Sequence, residues 1–514
     1  MTHMPTIKRM ETSAMKPQST FSPVSLRYIA ALRGHKPKKV NADFTYAEAA
    51  CRSPEQLICL AASNPEGRFY GFVADDNARR HGEEQAAQRG VFNAIFLTGA
   101  PSQILARIGN GAALPPMLDY LCCDESVEAL PADERAALFD LAQKRLNDGG
   151  LFATSYRAYG HDGGALRFLA HEMAPEMDAE QKLEFLLELK KLGAAWLARH
   201  PDTDAALKAA IAKGDADAFL SPYAAEPAPS ATFDTLVAMG SRGLAYAGDA
   251  LLTSNYVELA VPTEAQELVV KCRNHMLYEP IKDLALDRMV RSDIWVKAPF
   301  DMTGELAELF GGFAYGITVP REDIPPAFAA QGKVIDLSAP LYDRLIGLMT
   351  TLPMGIGDFL SHPDGQSEDP AKIVEAINIL VACGVASPMR GLRDLRGQHN
   401  IGNVAQPRLL GNFNRYLDKT NVGEADIWLA SPVMGCGIEV SPRDALVMQA
   451  LNRAGLANSV SALMPELRRI AETPDAKTLL PEGAPTAEGA QKLIQDTVGK
   501  SLPQWYAYGL LEAA

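Results

Sequence analysis

The sequence predicts an α/β fold, a Rossmann-like doubly wound parallel sheet, over its first third, and three observations predict it. From Phe44 onward, short apolar runs alternate with charged, helix-like stretches, the pattern of βαβ units and not of hairpins. The last of those stretches opens on Pro131 and Asp133 and closes on Asp148-Gly149-Gly150, a start and a stop proper to a helix. At 514 residues the chain is also too long for a single core, so this sheet is one of several units.

The spacing predicts strands over 44–50, 68–74, 93–98, 117–123 and 151–156. Helices are predicted over Pro54–Ala62, Ala78–Arg89, Ser102–Ile108 and Pro131–Leu146. Right-handed crossovers then place helices on both faces, with a ligand crevice at the carboxyl ends of the first strands. From about 165 to 255 the chain becomes Ala/Leu-rich with helical periodicity, as in Gln181–Leu197 and Thr203–Lys213, broken by a Pro-rich loop at 221–229. Strand-like runs return at Asp293–Ala298, Phe313–Val319 and Lys333–Leu337. A Pro/Gly/Asp/Ser-rich linker at 353–370 leads to helices at Ala371–Cys383 and Ser441–Ala454 and a flexible stretch at 473–487. No internal repeat is visible.

The balance of 49 basic against 63 acidic residues, a net charge of −14, opposes attraction to phosphate backbones or anionic lipid. It suits a basic protein partner, or simply solubility. The seven cysteines include no C-x-x-C pair and read as reduced thiols, with Cys122 and Cys123 alternating across a buried strand. The first twenty residues lack an apolar signal core and no stretch of eighteen residues is apolar throughout, so the expected location is the cytoplasm, away from membranes. No metal site is expected. His161 has no second ligand at metal spacing, and after His171-Glu172 a proline, Pro175, takes the place of the second histidine of H-E-x-x-H.

The segment at the first crevice reads Glu48-Ala49-Ala50-Cys51-Arg52-Ser53-Pro54, followed by Asn64-Pro65 and Phe69-Tyr70-Gly71. Strand four reads Leu118-Asp119-Tyr120-Leu121-Cys122-Cys123-Asp124-Glu125, with Pro131 and Arg135 beyond it. Then come Gly149-Gly150, Ser155-Tyr156-Arg157 and, near the C-terminus, Ala430-Ser431-Pro432-Val433-Met434-Gly435-Cys436-Gly437. Together these resemble the class I S-adenosylmethionine-dependent methyltransferases, in the branch that carries a methyltransferase regulatory domain and includes the rickettsial protein-lysine methyltransferases. The similarity runs from about residue 20 to about residue 455.

The chain departs from the branch at defined places. The loop pattern E-L-G-C-G-x-G has its three glycines replaced by Ala50, Arg52 and Pro54, and residues Asp124 to Ala129 replace H-G-V-Y-S-W. S-adenosylmethionine has no phosphate, so the glycines supply positive φ and close approach to the cofactor, not an anion cradle. An arginine near a sulfonium is unfavourable, and Pro54 removes an amide donor.

The resemblance implies S-adenosylmethionine as cofactor, with Glu48, Ala50, Cys51, Arg52, Asp75, Asp76 and Thr98 on its side of the crevice. Val73 fills the position of the usual ribose-holding acid; Asp75 serves if the turn is longer, or else caps the next helix. Asp124, Glu125 and Tyr156 are the candidates for the reacting side. A lysine acceptor must lose a proton, and acids at the mouth of strand four suit that task; they suit capping and solvation equally.

The implied division is a disordered 1–20, a methyltransferase-like domain at 21–164, a helical insert and regulatory region at 165–352, and a winged-helix-like α+β domain at 371–514. The implied partner is a protein substrate or a partner subunit, with a homodimer open. An inactive pseudo-methyltransferase acting as a scaffold is the alternative. A nicotinamide oxidoreductase is disfavoured, since G-x-G-x-x-G is missing after strand one.

Overall fold

The computed structural model describes residues 21–36, 43–107, 116–158, 164–171, 173, 176–224, 231–272, 275–298, 309–363, 365–366, 368–391, 407–420, 427–454, 465 and 501–513. The His161 and Glu172–Pro175 motifs, the N-terminal twenty residues and the 473–487 stretch lie wholly or in their key residues outside them.

The first unit is a wound sheet, as its hydrophobic alternation requires. Its elements are α1 (Pro23–Leu32), β1 (Phe44–Glu48), α2 (Pro54–Ser63), β2 (Gly67–Val73), α3 (Asp76–Gln88), β3 (Ala94–Thr98), α4 (Pro101–Arg107), β4 (Leu118–Ser126), α5 (Ala132–Arg145) and β5 (Leu146–Arg157). Two further strands, β6 (Leu244–Asp249) and β7 (Val290–Lys297), complete one seven-stranded sheet in the order β3-β2-β1-β4-β5-β7-β6. β1 to β5 run parallel; β7 lies antiparallel between β5 and β6. The predicted strand at 293–298 therefore belongs to the first sheet, well past residue 164.

Side chains alternate across the sheet. Phe44, Tyr46, Phe69, Tyr120 and Cys122 pack on one face, and Ala47, Tyr70, Phe72, Leu121, Cys123 and Phe152 on the other. The first face holds an aromatic ladder, Tyr46 to Phe69 at 5.2 Å and Phe44 to Tyr120 at 5.5 Å between ring centres. Cys122 and Cys123 are both buried, one in each core.

Between β5 and β6 the chain forms helices α6 (Gly164–His171), α7 (Ala179–Lys191), α8 (Ala195–Arg199), α9 (Pro201–Lys213), α10 (Ala216–Ala224) and α11 (Ala231–Gly240). α12 (Val257–Ala260), α13 (Thr263–Lys271) and α14 (His275–Leu286) lie between β6 and β7 and share a core with that helical group. Pro222 sits inside α10, where the sequence suggested a loop from Ser221.

Phe313–Ile317 is the central strand of a three-stranded antiparallel sheet with Met354–Gly355 and Ala386–Arg390. The predicted linker at 353–370 thus contains a short strand and the helix Ile356–Ser361, whose Asp358 accepts from the Gly355 amide. A hairpin of Ile427–Ser431 and Cys436–Val440 packs on α2, and the last described residues return to both: Ser431 of the hairpin donates its hydroxyl to the Tyr508 carbonyl, and Tyr508 donates its own hydroxyl to the Ile317 carbonyl of the three-stranded sheet.

Candidate functional site at the ends of β1 and β4

The strand order reverses between β1 and β4, so the helices that follow them leave on opposite faces and a crevice opens at their carboxyl ends. The chain leaves β1 through a tight turn. Ala49 N donates to Cys122 O at 2.7 Å, and Cys51 N to Phe72 O at 2.8 Å, so the turn is bonded to both neighbouring strands. Ala50 has φ +55°, the left-handed region, which an L side chain enters at a cost. The turn that glycine would make is made here by alanine.

Glu48 is buried at the end of β1, opposite Cys122 and Gly71 in the register. Asp124 lies two residues beyond Cys122 on β4. Burial pushes the Glu48 carboxyl up to about 8, Asp124 adds to the rise, and a hydrogen bond with Cys51 works against it. The Cys51 thiol is itself driven up, first by burial and then by Glu48. Asp124 reaches the surface, and the protein packed around its carboxyl raises its pKa. Among the described residues no cation offsets the charge of either acid, so a positive charge placed between them would relieve both. Arg52 is exposed after the turn, and Glu125 follows Asp124 in the backbone of β4.

At the end of β2, Asp75 is the N-cap of α3, accepting from Asn77 N at 2.9 Å and Ala78 N at 2.8 Å. Asp76 accepts from Thr98 Oγ1 at 3.0 Å and Arg79 Nε at 3.2 Å, and these bonds hold its carboxyl below the usual range. Asp76 and Thr98 are thus joined across the ends of α3 and β3, while Asp75 is bonded to the first turn of α3.

Tyr156 lies elsewhere. On β5 it shares the face of Phe152, which pairs with Leu121 of β4, whereas Glu48 and Asp124 follow the alternation of Tyr46 and Cys122. Its hydroxyl donates to Asp293. The sheet separates it from the Glu48–Asp124 pair.

That hydroxyl enters a buried ionic network the sequence reading missed. Arg291 is fully buried and donates to Asp283 at 2.9 Å, Glu279 at 2.9 Å, Asp293 at 3.0 Å and the Tyr246 hydroxyl at 2.8 Å. Lys282 pairs with Glu279 at 2.7 Å, and Arg288 pairs with Asp249. Burial pushes Glu279 up, but Lys282 and Arg291 outweigh it and hold it at about 2. Burial also lifts Asp293 to about 7, against the pull of Arg291. The available signal was the strand pattern Arg291-Ser292-Asp293 facing the helix triplet Glu279, Lys282 and Asp283.

Among the described residues, no group of three or more His, Cys, Asp or Glu side chains is placed to hold a metal ion, and no helix is long and apolar enough to cross a membrane.

Comparison with known proteins places this geometry. The profile of the predicted methyltransferase regulatory domain matches residues 225–297, the stretch holding β6, β7 and the ionic network. The chain is 19% identical over 442 residues to an uncharacterized protein of Synechocystis sp., covering 84% of this chain and 85% of that one. The structure of PKMT2 from Rickettsia typhi in complex with AdoHcy superposes with a TM-score of 0.62 at 13% identity, covering 96% of this chain and 98% of that one. A second structure of the same Rickettsia protein gives a TM-score of 0.60 at 14% identity, with the same coverage. The chain thus has the fold of the class I methyltransferases, with a methyltransferase regulatory domain matched over residues 225–297.

Proposed function

We infer that the crevice at the ends of β1 and β4 takes S-adenosylmethionine, and that the protein is a methyltransferase acting on protein side chains such as lysine. The observation carrying this reading is the Ala50 turn: its positive φ is the conformation the first loop glycine would supply, although the glycines are gone. The buried, uncompensated Glu48 beside Asp124 supports it, because a sulfonium is the charge that pair lacks. The residues therefore fit the methionine half of the cofactor, with Glu48, Ala50 and Cys51 as its holders. When bound, the cofactor supplies an activated methyl group on a good leaving group. The chain's part is alignment, exclusion of water and, at Asp124, acceptance of a proton from the acceptor.

The test is equilibrium binding of S-adenosylmethionine and S-adenosylhomocysteine to the full chain, followed by transfer of labelled methyl to basic proteins. Saturable binding and transfer are expected. No uptake at millimolar concentration would end the reading.

A second reading, an inactive scaffold or partner subunit, is favoured by the ribose side. There Asp75 is committed to capping α3, and Asp76 to Thr98 and Arg79. Cofactor binding without transfer to any acceptor would select it. Under either reading the partner is a protein, with a homodimer and a cytoplasmic location as part of the same proposal. The winged-helix-like assignment of 371–514 belongs to it as well.

A further inference from the structure

Arg27, on α1, is 7% exposed, and its guanidinium carbon stands 4.9 Å from the centre of the Phe313 ring. Phe313 lies directly opposite Arg390 across an antiparallel pair, so their side chains leave that sheet on the same face. Two buried cations therefore sit beside one ring. Arg390 has partners, Glu66 at 2.6 Å and the Pro432 carbonyl at 3.4 Å. Arg27 makes no hydrogen bond or ion pair with any of the described residues, and its Nε is buried without a partner. Burial pulls its pKa down, with Tyr120 working against that and Arg390 adding to it.

An unpaired charge is among the costliest groups to bury. A lysine in this place would shed its proton, but a guanidinium does not, so Arg27 requires an anion or an unusual tolerance. The ring face of Phe313 compensates it only in part. The nearest carboxylate on Arg390, that of Glu66, is already engaged there. One glycine borders the Arg27 guanidinium and a second lies against that glycine. A Cβ added at Gly312 would stand 3.6 Å from Arg27 Nη2, and one at Gly391 would stand 3.1 Å from the Gly312 carbonyl.

The geometry points to a binding site for a small oxyanion, a carboxylate or phosphate group, held by Arg27 and Arg390 where α1 meets the three-stranded sheet. The planar guanidinium fork matches either group in bidentate fashion. Glu66 immediately precedes β2, so the site lies at the amino edge of the seven-stranded sheet, opposite the Glu48 crevice. It is independent of the methyltransferase reading and needs no cofactor.

The experiment is thermal unfolding of the full chain, titrated with inorganic phosphate and separately with malonate, at constant ionic strength maintained with chloride. A saturable rise in Tm with either oxyanion is expected. Response to phosphate alone or to malonate alone assigns the class. Arg27→Met should abolish the rise while leaving Tm in chloride unchanged or higher, since an unpaired buried charge is gone. Glu66→Gln, which removes the competing carboxylate, should lower the half-saturating concentration several-fold and keeps the test open where Arg27→Met does not fold. No response in the parent protein, or an equal response in Arg27→Met, would overturn the proposal.

Discussion

The Asn64 side-chain amide donates a 2.9 Å hydrogen bond to the carbonyl of Gly435, 371 residues away. The same amide also reaches Leu60 O at 2.8 Å, so both of its hydrogens are engaged. Asn64 ends α2, the helix that leaves the Ala50 turn, and Gly435 is the tip of the C-terminal hairpin. Two stretches that carry the resemblance to the methyltransferase branch therefore hold each other.

Asn64→Leu should destabilise the fold by about 1–3 kcal/mol, through two buried carbonyls left without their donor. Gly435→Ala should cost a similar amount, about 1–3 kcal/mol, because its φ is +66° and a Cβ would meet Val24 Cγ2 at 2.8 Å. Urea unfolding measures both, and losses below a few tenths of a kcal/mol would show the contact to be incidental.

At Ala50 the opposite change is favourable. Glycine accepts the φ of +55° without strain, so Ala50→Gly should gain up to about 1 kcal/mol, whereas Ala50→Val should lose more than alanine's own strain. Comparing the midpoints of the two variants against the parent decides it.

Glu48 makes stability depend on pH with a known sign. Its folded pKa, about 8, lies above that of an unfolded glutamate, so its contribution is complete below about pH 4.5 and is lost as pH rises through 8. Glu48→Gln should therefore gain on the parent across that window, by at most about 1.4 kcal/mol per pH unit. Tm measured against pH for both proteins is the check.

The same group predicts how ligands titrate. A cationic sulfonium favours the ionised Glu48, so S-adenosylmethionine affinity should rise between pH 6.5 and 8.5, by up to about tenfold per unit below the pKa. S-adenosylhomocysteine, a neutral thioether, should show a much flatter profile in the same calorimetric titration.

Arg291→Met would strand Asp283, Asp293 and Glu279 in the core. A loss of about 3–5 kcal/mol is expected, and Arg291→Lys should recover little, since one ammonium cannot reach partners on both α14 and β7. Chemical denaturation gives the values; a near-neutral Arg291→Met would mean that the acids simply take up protons.

The parallel half of the sheet is legible in the sequence because each run carries its own period. The strands at 44–48, 67–73 and 94–98 and the helices between them fall within a residue or two of expectation. Its completion by β6 and β7 is not legible. Strand pairing across the helical insert is a long-range choice that local patterning does not encode, and Leu-Ala-Tyr-Ala-Gly-Asp of β6 reads locally as more of the Ala-rich region. Within the site, Asp75 follows its capping chemistry, which the sequence offers as openly as a ligand role. Tyr156 parts from Asp124 because it shares the sheet face of Phe152 and Leu121, whereas Asp124 follows the alternation of Cys122 on the other face. Glu279, Lys282 and Asp283 look like a solvated helix face until Arg291 covers them.

Because β7 lies between β5 and β6 yet is the last of the seven strands to be made, synthesis exposes a hazard absent from the finished protein. β1 to β5 can pair as soon as they emerge, but β5 then has an open edge until residue 297 is made. An unpaired strand edge recruits other strands, including those of a neighbouring nascent chain. The helical segment after β5 emerges during that interval, before the proper partner arrives. Slower translation between residues 158 and 290 lengthens that wait and should lower the yield of folded protein.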